Sequence, residues 1–126
     1  MSSIVRATSP EVSEPQPGTW SNCLVVNGVA YLAGMTARGD GEYTQAKAIF
    51  TKIRHLVEAA GGSMADIVKV TIFVTDIKNR EEVWKARQEF FTGNFPASTL
   101  VQVAALATPE LKVEIEAVAY IGASKR

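Results

Sequence analysis

Two hydrophobic periods alternate along this chain, and the switches between them mark its elements. From Tyr43 to Ala60 the apolar residues Ala46, Ile49, Phe50, Ile53, Leu56, Val57 and Ala60 recur every three or four positions. That spacing makes one face of an amphipathic helix, and Gly61-Gly62 follows as a stop. From Ile67 to Val74 the period falls to two: Val68, Val70, Ile72 and Val74 share one side, Lys69, Thr71 and Phe73 the other. This run is rich in β-branched residues and predicts a strand. Cys23-Leu24-Val25-Val26 and Val29-Ala30-Tyr31-Leu32-Ala33 flank Asn27-Gly28, the dipeptide best suited to the positive φ angles of a two-residue turn, and predict a β-hairpin.

A second helix is expected from about Asn79, with Asn79 as its cap, Glu82 three residues on, and Val83, Trp84, Phe90 and Phe91 turned inward. Gly93-Asn94-Phe95-Pro96 ends it. Two more strands, Thr99 to Ala104 and Lys112 to Ile121, are separated by a turn at Thr108-Pro109-Glu110. At the other end, Pro10, Pro15 and Pro17 make Thr8 to Gly18 a loop that follows the short segment Ile4 to Ala7. The order β-β-β-α-β-α-β-β predicts an α+β, two-layer sandwich with both helices on one face of a mixed six-stranded sheet. Along the last strand Val113, Ile115, Ala117, Ala119 and Ile121 form one apolar face. The other, Glu114, Glu116, Val118 and Tyr120, is only half polar, as a face that meets another subunit would be.

Composition narrows the function. A chain of 126 residues reads as one domain, residues 1–126, around one core. Thirteen basic residues balance thirteen acidic ones with no basic run, so no nucleic-acid partner is expected. No stretch is long and apolar enough for a membrane partner, and a lone cysteine without a secretory signal at the N-terminus points to the cytoplasm. With His55 as the only histidine and no second soft ligand near Cys23, no metal and no cofactor are expected. Histidine-dependent triads are disfavoured for the same reason. Carboxylates, hydroxyls, backbone groups and water are left to do any chemistry. Cys23 reads as a small buried hydrophobe and His55 as a surface residue.

An ordered set of segments spans nearly the whole chain: Gly18-Thr19-Trp20-Ser21-Asn22, Leu32-Ala33-Gly34-Met35, Glu58-Ala59-Ala60-Gly61, Asp66 to Val74, Asn94-Phe95-Pro96-Ala97-Ser98-Thr99, and Val113-Glu114-Ile115-Glu116-Ala117-Val118-Ala119. Together they resemble the RidA/YjgF family. The resemblance implies a chorismate-mutase-like fold and a homotrimer with three clefts at its subunit interfaces. In the best-studied branch an arginine in each cleft holds the carboxylate of an imino or enamino acid while water attacks the C=N carbon and ammonia leaves.

Position by position, the family's carboxylate-binding arginine falls on Ser98. Trp20 stands where the family usually has Tyr, Ala33 where it has a hydroxyl residue, and Met35 where it has Gln, whereas Glu114 matches the family's acidic residue. The frame is kept and most polar pocket residues are changed, which marks a divergent branch. Glu114 is the catalytic candidate, because a carboxylate beside a shielded cleft can hold water and pass protons. Glu116, two residues on, can pair with it or serve structure alone. Ser98 is too short to replace a guanidinium fork but can meet a neutral or carbonyl group. Arg38 is either a solvated loop residue or a relocated anion clamp. Trp20 can stack on a planar substrate or pack at an interface. Asn94 can reach a substrate or close its turn, and Leu100 completes the expected lining.

Two functions fit. The first is an enzyme, a hydrolytic deaminase of a small enamine or imine that differs from simple 2-imino acids. The second is a non-catalytic trimer that binds a small metabolite. A ribonuclease or translation-inhibitor activity, for which some family members were named, is disfavoured by the charge balance and the single histidine.

Overall fold

A computed structural model of the protein describes residues 3–125. Six strands form one mixed sheet: β1 (Val5–Arg6), β2 (Cys23–Val26), β3 (Val29–Met35), β4 (Ile67–Val74), β5 (Ala97–Gln102) and β6 (Val113–Tyr120). They run in the spatial order β1-β2-β3-β6-β4-β5, and only β4 and β5 are parallel. Helices α1 (Gly41–Ala59) and α2 (Arg80–Phe90) complete the α+β sandwich. The expected order of elements is the observed one; β2 and β4 have the expected bounds, and the ends of the other elements are displaced by at most three residues.

Local chemistry sets the turns. Asn27 and Gly28 take φ of 52° and 77°, the left-handed pair that joins β2 to β3 without splaying them. Helix α1 stops where Gly61, at φ 95°, lets the Gly62 N-H reach back to the Val57 carbonyl at 2.9 Å, a Schellman closure.

The core lies between the helices and one sheet face. Ile49, Phe50, Ile53, Leu56 and Val57 of α1 are fully buried, as are Val70, Ile72 and Val74 of β4 and Val113, Ile115 and Ala119 of β6. Phe50 meets the rings of Phe90 and Phe91 at centroid distances of 5.5 and 5.7 Å, which fastens α2 to α1. One polar side chain in this core is fully used. Gln45 donates to the carbonyls of Gly39 at 3.0 Å and Glu110 at 2.9 Å and accepts from the Lys112 N-H at 2.8 Å, so it ties two loops to the start of β6.

Four expectations are corrected. Val68 is 41% exposed while Ile67 is buried, because the β4–β6 register shifts between Ile67 and Lys69 and turns one residue over. Asn79 stands at the N-cap of α2, but its side chain makes no cap and donates instead to the buried Glu42 at 2.9 Å. Trp84 is only half-buried, with the guanidinium groups of Arg80 and Arg87 at 5.7 and 5.9 Å from its ring centroid. Ile121 lies beyond the end of β6, half-buried.

The second sheet face is open. Tyr31 and Tyr120 on it are each 51% exposed, and Val101 is 40% exposed. Among the described residues no helix is long and apolar enough to cross a membrane.

Candidate functional site

The register of β3 against β6 slips by one residue between Leu32 and Met35, so one residue of β3 is left over opposite β6. Gly34 lies in this bulge. The carboxyl group of Glu114 rests on it so closely that a Cβ at Gly34 would lie 2.9 Å from the carboxyl carbon and 3.1 Å from Cγ. Only glycine leaves Glu114 that seat. Burial, and after it the charge of Glu116, pushes the Glu114 pKa above its ordinary 4.5. Glu116 lies exposed on the same open face, as the period of two requires.

Beside the bulge is a hollow of about 180 Å³ bounded by Val12, Trp20, Asn22, Gly34, Met35 and Lys52, among others. Asn22 is buried and donates to the Ser13 carbonyl at 3.0 Å, which holds the proline-containing loop against β2. Lys52 of α1 reaches into this region and donates to the Thr36 carbonyl at 2.7 Å. Trp20 is 58% exposed at the rim, whereas Met35 is buried and turned largely to the core. Ala33 is half-buried, and its N-H donates to the Asn22 carbonyl at 2.9 Å. Arg38 is exposed on the loop after β3; the Glu110 carboxyl is held below its ordinary value first by its own backbone N-H and the Thr108 hydroxyl, with Arg38 adding a smaller part.

Ser98, Leu100 and Asn94 sit elsewhere. Ser98 and Leu100 are on β5, with β6 and β4 between that strand and β3, roughly 14 Å at the usual strand spacing. Their register partners are Val70 and Ile72, so they share the helix-facing side of the sheet, while Glu114 is on the open side. Asn94 is exposed in the loop between α2 and β5, in a hollow with Phe90 and Phe91. One chain therefore keeps the candidate residues in two separate groups. Glu114 and Gly34 lie beside the hollow of Trp20, Lys52 and Met35, and Ser98, Leu100 and Asn94 lie on β5 and the loop before it.

Ser98 has a partner that the sequence did not point to. Arg87 of α2 donates from Nη1 to the Ser98 Oγ at 3.1 Å, eleven residues away. Gly34, Lys52 and Arg87 were not among the candidates expected from the sequence. Each is defined by what lies across from it in space, and no spacing along the chain carries that signal. Cys23 is fully buried, and burial, then the charge of Glu14, raises its thiol to about 11, as befits a packing residue. His55 is half-buried on α1, less exposed than its place off the apolar stripe implied. Among the described residues no group of three or more His, Cys, Asp or Glu is arranged to hold a metal.

A mixed six-stranded sheet backed by two helices, with a carboxylate seated on a strand bulge, defines a class of small α+β proteins with an open sheet face. Residues 12–121 match the family model described as endoribonuclease L-PSP. The chain belongs to that family, in agreement with the RidA/YjgF resemblance of its motifs. It is 35% identical over 116 residues to a 2-iminobutanoate/2-iminopropanoate deaminase of Dermatophagoides farinae, covering 85% of this chain and 90% of that one. The crystal structure of PA3499 from Pseudomonas aeruginosa superposes with a TM-score of 0.89 at 35% identity, over 97% of this chain and 95% of the other. RidA from an Antarctic Psychrobacter superposes with a TM-score of 0.84 at 29% identity, over 93% and 99%.

Proposed function

We propose that this protein is a hydrolytic deaminase of a small enamine or imine, working as a homotrimer of single-domain subunits with its sites where subunits meet. The observation that carries the reading is Glu114, a half-buried carboxyl of raised pKa that presses on a glycine bulge beside a hollow. Such a group takes a proton from an attacking water and returns it to the departing nitrogen. Water adds to the C=N carbon, the carbinolamine forms, the protonated nitrogen leaves as ammonia, and the carbonyl remains. Glu114 faces the open side of the sheet and Ser98 and Leu100 the helix side, so one chain does not close a site around them, and assembly of subunits would bring the groups of different subunits together. The exposed Tyr31, Tyr120 and Val101 of the open face supply the apolar surface for that assembly. The deaminase from Dermatophagoides farinae, 35% identical, supports the reaction class.

The substrate is expected to differ from 2-iminopropionate, since Ser98 puts no guanidinium fork on β5 itself to grip a carboxylate there. That same position favours the second reading, a binding trimer without hydrolysis. The test is ammonia release from freshly generated imines, from 2-iminopropionate to larger conjugated ones, by wild type and by Glu114→Gln. The amide keeps the shape but transfers no proton, so turnover is expected to fall on the order of 10²- to 10⁴-fold. Absence of turnover on every imine, together with measurable binding of one of them, establishes the second reading instead. Light scattering that reports a stable monomer removes the intersubunit site.

A further inference from the structure

Arg87 is an undercompensated cation. Its Nε is wholly buried and has no hydrogen-bond partner, its Nη1 has only the neutral hydroxyl of Ser98, and among the described residues it makes no ion pair. A buried guanidinium donor without an acceptor is costly, and most arginines at a helix surface avoid it by turning to water or to a carboxylate. Here the side chain is held down on both sides. Trp84, one turn earlier on α2, lies under the guanidinium with the ring centroid 5.9 Å from Cζ, and Ser98 on β5 anchors the Nη1 end. Burial accordingly lowers the Arg87 pKa, with no opposing carboxylate contributing. Ser98 itself is exposed, so the end of the guanidinium that reaches it opens on solvent. The remaining Nη protons are the free donors of a charge that the fold has partly stripped of water.

We propose that Arg87, carried by α2 and seated on Ser98, is the anion-binding residue of this protein, and that its ligand is a planar carboxylate. Planarity follows from the indole-backed guanidinium, which presents one flat edge and matches a carboxylate in its own plane. The small side chain at Ser98 is then a requirement, because a longer one on β5 would occupy the place where the guanidinium lies. That this anion is the acid group of the imine substrate rests on the reading above, while the affinity of Arg87 for a carboxylate does not.

The probes are 2-oxobutanoate and benzoate, with benzamide as the uncharged control, titrated calorimetrically against the assembled protein. Arg87→Met is expected to weaken both carboxylates on the order of 10²-fold and to leave benzamide unchanged. The double variant Arg87→Met with Ser98→Arg, which moves the guanidinium to the strand, is expected to regain most of the loss. Should Arg87→Met fail to fold, Arg87→Lys keeps the charge and the stem and is expected to weaken both carboxylates about tenfold, through loss of the fork. Carboxylate affinity unchanged in the folded variant, or no carboxylate binding by wild type at millimolar concentration, overturns the proposal. Ammonia release separates the two readings. Arg87-dependent carboxylate binding without turnover of any imine leaves this site standing and removes the deaminase. Turnover of an imino acid whose KM ignores Arg87→Met does the reverse.

Discussion

Replacing Gly34 with alanine separates the seat of Glu114 from the stability of the fold. Gly34 has no positive φ, so alanine meets no backbone strain there. Its Cβ would, however, lie 2.9 Å from the Glu114 carboxyl carbon and 3.1 Å from Cγ, against an ordinary contact of about 3.4 to 4 Å. The obstacle is the far end of a flexible side chain, so the carboxyl moves by about 1 Å and the backbone stays. Loss of glycine entropy in the unfolded chain stabilises by about 0.4 to 1 kcal/mol, and an off-rotamer Glu114 costs about 0.5 to 1.5 kcal/mol. These nearly cancel. A reacting group displaced by 1 Å costs on the order of 10²-fold in rate. Gly34→Ala is therefore expected to unfold in urea within about 1 kcal/mol of wild type while kcat for imine hydrolysis falls about as far as in Glu114→Gln. The two changes combined should be no worse than Glu114→Gln alone. An undiminished kcat refutes the role of the Gly34 seat, and a loss above about 2 kcal/mol refutes the claim that only the side chain yields.

Asp66 is buried and accepts from the backbone N-H groups of Ser63, Gly122 and Ser124 at 3.1, 3.0 and 2.9 Å, and although burial opposes its charge, the Ser124 hydroxyl and then these N-H donors bring its pKa down to about 2 from 3.8. A depressed pKa stabilises above the unfolded value, so Asp66→Asn should lose about 2 to 3 kcal/mol at neutral pH, a deficit that shrinks as pH falls from 3.8 towards 2; urea melts across that range check it. Glu114 has the opposite sign: its raised pKa favours folding below 4.5, and that contribution is lost as pH rises through the folded value. Glu114→Gln should therefore be more stable than wild type at pH 7 and equal to it below 4.5, and a constant difference across pH would contradict the assignment. Cys23, fully buried with a thiol at about 11, should react with an aromatic disulfide reagent at about pH 8 only as fast as the protein unfolds, and prompt stoichiometric labelling of the native protein would show the site is open.

The sequence by itself determined the elements and their order, because those depend on neighbours a few residues apart. The three-to-four spacing from Ala46 to Val57, the alternation from Val70 to Val74 and the Asn27-Gly28 turn are local properties, and local sterics and burial act on them wherever the chain goes. The motif frame and the place of Glu114 on the outer face of the last strand were legible for the same reason, as fixed strings on predicted strands. What only the tertiary structure decided are the register slips and the contacts between distant elements. The bulge opposite β6 that seats Glu114 on Gly34 and the shift that turns Val68 outward come from pairing between strands, which no single strand encodes. Asn79 read as a cap and became the partner of Glu42, thirty-seven residues away, because a buried carboxylate needs a donor more than an exposed helix end does. Arg87 carries no signal along the sequence that sets it apart. Its meeting with Ser98 depends on how α2 lies against β5, and that angle is set by the packing of Phe90 and Phe91 on Phe50, a property of the assembled core.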